Sequence, residues 1–185
     1  GAAYRCFCGP EELEAERVPF VSPRLDGRDT HFYEWRGAQL FDTAAEYGAD
    51  HRGESHLKRI LFGLSATDFY VRVDGAKSDS LAQGELRLEF KLPREADARV
   101  PLGGERRGNL IWSAAAGGDP GEFAHDRVLE IRVPLERIGA LPGAVLRWRV
   151  ELLHEGGVVE VVPRGGPFST PIPDAEFELR NWSAT

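Results

Sequence analysis

Apolar residues recur at every second position through most of this chain. In "DFYVRVDG" the set Phe69, Val71 and Val73 falls on one side, and in "GELRLEFKLP" the set Leu86, Leu88, Phe90 and Leu92 does the same, ending at Pro93. "DRVLEIRVPL" repeats the rule with Leu129, Ile131 and Val133, and "AVLRWRVELL" with Leu146, Trp148, Val150 and Leu152. "GVVEVVP" follows a Gly-Gly turn, and "GNLIWSAA" is a short apolar run. Period-two alternation bounded by Gly, Pro and Asp is the mark of strands with one wet face. Antiparallel sheets of that kind bury their dry faces against each other. The fold class expected is therefore all-β: an antiparallel sandwich of about nine to eleven strands, judged from turn spacing, with one or two short helices.

Three segments depart from the strand rhythm. "PEELEAERV" places Pro10 at a helix start and follows it with helix formers and early acids. "SHLKRILFGLS" fits either a helical turn or a strand carrying Leu57, Ile60 and Leu61, and "PLERIGALPG" fits a single helical turn ending at Gly139. "PFVSPRLDG" reads as an extended linker, so residues 1–21 are expected as an N-terminal extension and 22–185 as the sandwich. No internal repeat suggests a solenoid or propeller.

Composition narrows the function more by exclusion than by assignment. The 185 residues suit one domain, and the formal charge of −7 offers no general attraction to nucleic acid or anionic lipid. No apolar run approaches the roughly 20 residues of a membrane helix. The first ten residues lack a signal-peptide pattern, and the chain has no methionine, which reads as an excised or processed piece. Cys6 and Cys8, separated by one residue, are not expected to form a disulfide framework. A reducing, cytoplasmic location is the expectation.

Catalytic constellations are missing. Histidines 31, 51, 56, 125 and 154 lack the spacing of zinc ligands, no G-x-S-x-G elbow occurs, and "GGDPG" lacks the lysine and helix of a phosphate cradle. Neither a metal nor a cofactor is expected. Among 30 acids some pair will stand at glycosidase separation by chance, so Asp26, Glu34 and Asp42 are read as turn formers and solvated positions. Four tryptophans remain. Trp148 shares its alternating set with Leu146 and Val150 and belongs to the core; Trp182 is placed at a sandwich edge. Trp35, in the run Phe32-Tyr33-Glu34-Trp35, and Trp112, before the "SAAAGGDPG" loop, are open to two uses, core packing or a flat platform for a sugar. Alternation would send Tyr33 and Trp35 to one face and Phe32 and Glu34 to the other.

Several segments together, "SPRLDGRDTHFYEWRGAQLF", "HLKRILFGLSATDFYVRVDG", "LEIRVPLERIGALPGAVLRWRVEL" and "EVVPRGGPFSTPIPDAEFELRNWSA", resemble the C-terminal domain that follows the catalytic region in glycoside hydrolase family 57 proteins. The resemblance spans Ser22 to Ala184 and rests on "FYEW-x-GA", on the turn before "FYVRVDG", and on the closing "P-x-x-G…P…NW". It implies a jelly-roll-like sandwich of the DOMON-like group, similar to family 9 carbohydrate-binding modules. It also implies a non-catalytic accessory role beside the catalytic barrel of an α-glucan-processing bacterial enzyme, with a purely structural domain as the alternative. A sugar clamp would then draw on Trp35, with Tyr33 and Glu34 beside it and Trp112 as the second tryptophan. Haem binding of the DOMON type is disfavoured because no methionine is present.

Overall fold

The computed structural model describes residues 21, 23–29, 34–47, 55–114 and 117–174. The expected helix over residues 10–18, both cysteines, His31, His51, Phe32, Tyr33 and Trp182 lie outside the described residues. Within them the chain forms twelve strands: β1 Gln39–Asp42, β2 Leu57–Leu64, β3 Asp68–Gly75, β4 Gly84–Leu92, β5 Ala96–Leu102, β6 Arg107–Asn109, β7 Ile111–Trp112, β8 Glu122–His125, β9 Leu129–Pro134, β10 Val145–His154, β11 Gly157–Val162 and β12 Phe168–Pro171. A five-residue helix, α1, covers Thr43–Tyr47, and a 3-10 turn covers Leu135–Ile138. Asp42 caps α1 by accepting from the N–H groups of Ala44 and Ala45, as an N-cap carboxylate does. Gly139 ends the 3-10 turn in the left-handed region, where the pattern placed its end.

Every pairing is antiparallel, and the strands make two sheets. The first runs β1-β2-β3-β9-β8-β6; the second runs β11-β10-β4-β5-β7, with β12 also on β10. β11 takes Val150–His154 and β12 takes Val145–Trp148, so the two follow one another along one edge of β10 while β4 holds the other edge. The inward rows close on an aromatic centre. Trp148 is fully buried, with Phe62 and Phe69 rings at 4.9 Å and Phe168 at 4.6 Å, and its Nε1–H donates to the buried Thr170 hydroxyl. The architecture is the expected antiparallel sandwich, with twelve strands among the described residues rather than nine to eleven.

The extra strands have a physical origin. The run "GNLIWS" is not one strand: β6 pairs with β8 in the first sheet, Leu110 turns inward, and β7 pairs with β5 in the second. The chain thus changes sheet at Leu110 and closes that side of the sandwich, much as corner strands do. On the opposite side, among the described residues, the first sheet ends at β1 and the second at β11 and β12, with no strand shared between them. Among those residues that side is the open one.

Two departures from alternation come from bulges, which insert one residue and flip the row beyond it. On β4, Phe90 pairs with Trp148 but Leu92 pairs with Arg147, leaving Lys91 extra. Leu92, expected with the inward set, therefore faces out and is 47% exposed. On β2, Leu57 pairs with Gly75 and Arg59 with Asp74, leaving Lys58 extra. Leu57 and Ile60 consequently both point inward at a spacing of three that imitates a helix, while Leu61 lies on the outer face. The ambiguous segment is a strand.

Candidate functional site

The described residues 21, 23–29 and 34–38 lie against the outer face of the first sheet. Val21 N–H donates to Leu64 C=O, and Gly27 C=O accepts from Arg127 and Val128. Gly27 has φ +72, and a Cβ there would stand 2.6 Å from the Asp126 nitrogen, so only glycine lets this turn lie so close to the sheet. Glu130 is the anchor beneath it. It occupies the outward row of β9 yet is completely buried, because its carboxylate accepts from Asp26 N–H, Gly27 N–H and the Trp35 Nε1–H at 2.8, 2.8 and 3.0 Å. Three charge-assisted hydrogen bonds satisfy a carboxylate that would otherwise be very costly to bury.

Trp35 is accordingly 7% exposed, packed with Val21 and Tyr70 in a small second cluster that also touches Leu25, Ala38 and Leu61. It does not lie on a strand: residues 34–37 form a turn, Ala38 N–H bonding back to Trp35 C=O, and β1 begins at Gln39. The expected alternation of a Trp-bearing strand therefore does not govern these positions, and Glu34 sits half-buried in the turn. Beside the cluster Arg72 ion-pairs with Asp74 at 2.7 Å and with Asp29 at 3.0 Å, and Arg59 also engages Asp74. Hydrogen bonding to Arg72 and its charge hold the Asp29 carboxyl below the usual carboxylate range. Burial pushes the Tyr70 phenol up, and Asp68 adds to it.

Trp112 belongs to the other side of the molecule, half-buried against the main core at the closed edge. Its Nε1–H donates to Pro120 C=O at 2.7 Å, Phe90 lies nearly parallel at 6.4 Å, and the Arg137 guanidinium sits 4.8 Å over the ring. Arg137 in turn donates to Gly117 C=O. The indole thus carries a cation–π partner where a sugar would have to stack. Trp35 and Trp112 sit in separate clusters on different faces, and the fold does not bring them together as a clamp.

A cleft of about 310 Å³ opens instead on the open side of the sandwich. One wall is β1, with Gln39, Leu40 and Phe41; the other is the β11–β12 connection "PRGGPF", with Pro163, Gly165, Gly166, Pro167 and Phe168; Phe62 forms the floor. Phe168 meets Phe41 edge-on and Phe62 at a tilt, both at 5.1 Å between centroids. Nearby, Glu160 pins the two sheets together. Val159 is an extra residue in the β10–β11 register, which turns Glu160 to the inner row opposite Leu152. There its carboxylate accepts from Ser55 Oγ, His56 N–H and Leu57 N–H on β2 and its approach. Neither wall figured among the residues singled out from pattern. The only local signal was the Gly-Gly pair between two prolines and next to an aromatic, which reads as an open turn beside a ring.

Elsewhere several charged side chains pair with one another. Arg132 binds Asp68, Asp119 and Glu122, and these contacts hold its guanidinium charged and the Asp119 carboxyl below its ordinary range. On the outer face of the second sheet Arg87 pairs with Glu151, and Arg149 bridges Glu89 and Glu151. Among the described residues no group of three or more His, Cys, Asp or Glu could hold a metal ion.

No protein-family model matches this chain, and no curated protein matches it. Among solved structures it is similar to a family 9 carbohydrate-binding module from Caldicellulosiruptor kristjanssonii in complex with cellotriose, at 12% identity and a TM-score of 0.44, over 83% of this chain and 80% of that one.

Proposed function

We propose that this chain is a non-catalytic accessory domain of a glycoside hydrolase family 57 type, α-glucan-processing enzyme, and that it holds a sugar in the open-side cleft. The cleft carries the proposal. Phenylalanine rings suit the C–H faces of a sugar, while the Gln39 amide and the peptide groups at Gly165 and Gly166 suit its hydroxyls. At about 310 Å³ it lies at the small end of ligand pockets, matched to one sugar unit rather than a long chain segment. Both walls fall inside the segments that resemble the family 57 accessory domain.

Titration of isotope-labelled protein with maltooligosaccharides tests the site. Amide shifts at Gln39, Gly165, Gly166 and Phe168, saturating in the millimolar range, are the expected outcome. Saturable shifts confined to Trp35 or Trp112 would move the site to those rings. Incubation with soluble starch is expected to release no product, and turnover abolished by a single carboxylate substitution would overturn the accessory role.

One observation favours a second possibility, a domain that only supports its parent's barrel. Trp35 is committed to Glu130 and Trp112 to Pro120 and Arg137, so neither of these rings is left as a platform. Absence of any sugar-induced shift, together with loss of barrel stability when this domain is removed from the parent enzyme, would establish that alternative.

A further inference from the structure

Both walls of the cleft are tied to one peptide. Leu57, at the start of β2, donates its N–H to the Glu160 carboxylate at 3.1 Å, and its C=O accepts from the buried Thr43 hydroxyl at 2.7 Å. Thr43 follows directly on β1, the wall that carries Gln39, Leu40 and Phe41. Glu160 lies on β11, three residues before Pro163 begins the other wall. β2 itself runs on to Phe62, the floor. At the Lys58 bulge two successive carbonyls, those of Leu57 and Lys58, lie within reach of the one Thr43 hydroxyl. We infer that Glu160 is a positioning residue of the cleft: its clasp on β2 holds the two walls at the spacing that receives a sugar. This rests on the assignment of the cleft as a sugar site, and adds what sets its width.

Burial alone does not call for a carboxylate here. Val162 fills the same inner row of β11 two positions on, and a valine at 160 would bury apolar surface without desolvating a charge. Apolar packing is non-directional, whereas a hydrogen bond fixes distance and angle. Glu160 accepts from three consecutive residues: Ser55 Oγ at 2.5 Å, His56 N–H at 2.7 Å and Leu57 N–H at 3.1 Å. At the closed edge the chain itself joins the sheets at Leu110. On the side that is open among the described residues, the clasp supplies a joint of hydrogen bonds. Further along that side Phe41 and Phe168 touch edge-on at 5.1 Å, so their ring contact reports the wall spacing directly. Without the clasp the walls sample other separations. A sugar then binds the competent fraction alone, and its apparent affinity falls in proportion.

The test compares Glu160→Gln, Ser55→Ala and Gly27→Ala in the intact chain, each titrated with maltotriose at a temperature where it is folded. Glutamine keeps the shape and one acceptor oxygen but turns an amide NH2 toward N–H donors. Glu160→Gln is expected to weaken maltotriose binding about tenfold and to weaken the nuclear Overhauser contact between the Phe41 and Phe168 rings. Ser55→Ala deletes one donor to the clasp and should weaken binding about two- to threefold. It should add little in the double variant, since both act through one clasp. Gly27→Ala strains a turn on the outer face of the first sheet, lowers stability, and should leave both readouts unchanged. Should Glu160→Gln fail to fold, Ser55→Ala decides by the same two readouts. Unchanged affinity, or a loss of affinity with the ring contact intact, overturns the positioning role and leaves a sugar site in the cleft. A loss matched by Gly27→Ala overturns it as well, as an effect of stability alone. No saturable maltotriose shift in the unmodified protein retires the sugar site, and the positioning role with it.

Discussion

Replacing Trp35 separates a structural indole from a sugar-binding one. The ring is 7% exposed, packed on Val21 and Tyr70, and its Nε1–H is one of three donors to the buried Glu130. Trp35→Ala removes the packing and leaves Glu130 one donor short, which together should cost about 3–5 kcal/mol. For a domain of this size that corresponds to a fall of roughly 6–20 °C in melting temperature. Trp35→Phe keeps most of the packing and deletes only the N–H, so its cost should be about 1.5–3 kcal/mol, the worth of a hydrogen bond to a charged group. The difference between the two variants measures the packing share. Urea unfolding followed by circular dichroism gives both numbers, and amide exchange at Asp26 and Gly27 reports whether the turn over Glu130 opens with them. A Trp35→Ala protein that unfolds within about 0.5 kcal/mol of the parent yet no longer binds maltotriose would refute the reasoning, because a packed and hydrogen-bonded indole cannot be removed at that cost.

Other substitutions probe other joints of the fold. Gly27→Ala meets both a left-handed φ and the Asp126 backbone at 2.6 Å, so it should destabilise by at least about 1–3 kcal/mol in the same assay, the cost of a left-handed non-glycine residue alone. Glu160→Ala strands three donors on β2 and its approach; a loss of about 2–4 kcal/mol, with faster exchange at His56 and Leu57, is expected, and unchanged exchange there would refute the pinning role. Asp29 and Asp119 are held below the ordinary carboxylate value of 3.8 by hydrogen bonds from Arg72 and Arg132. A carboxyl that is more acidic folded than unfolded stabilises the fold above its unfolded value, and that stability is lost as pH falls below 3.8 toward the folded values. The urea midpoint should therefore drop between pH 5 and pH 2.5, and less steeply in an Asp29→Asn, Asp119→Asn double variant.

The rows Phe69-Val71-Val73, Leu129-Ile131-Val133 and Leu146-Trp148-Val150-Leu152 were legible because alternation is a local property that each strand carries by itself. Turn residues such as Gly139 were legible for the same reason. What the tertiary structure alone decided depends on partners far along the chain. Lys58, Lys91 and Val159 became bulges only through the register of a neighbouring strand, and each shifted a row that alternation would have continued. Glu130 and Glu160 look in sequence like solvated strand acids; they are buried because donors 95 to 105 residues away converge on them. Trp35 left both of its uses open for as long as its environment was unknown, since the same ring serves a core or a platform according to what covers it. The cleft was the least legible feature. Its walls lie more than 120 positions apart in sequence, and they face each other because the crossover at Leu110 closes one side of the sandwich while, among the described residues, the other ends in unjoined strands.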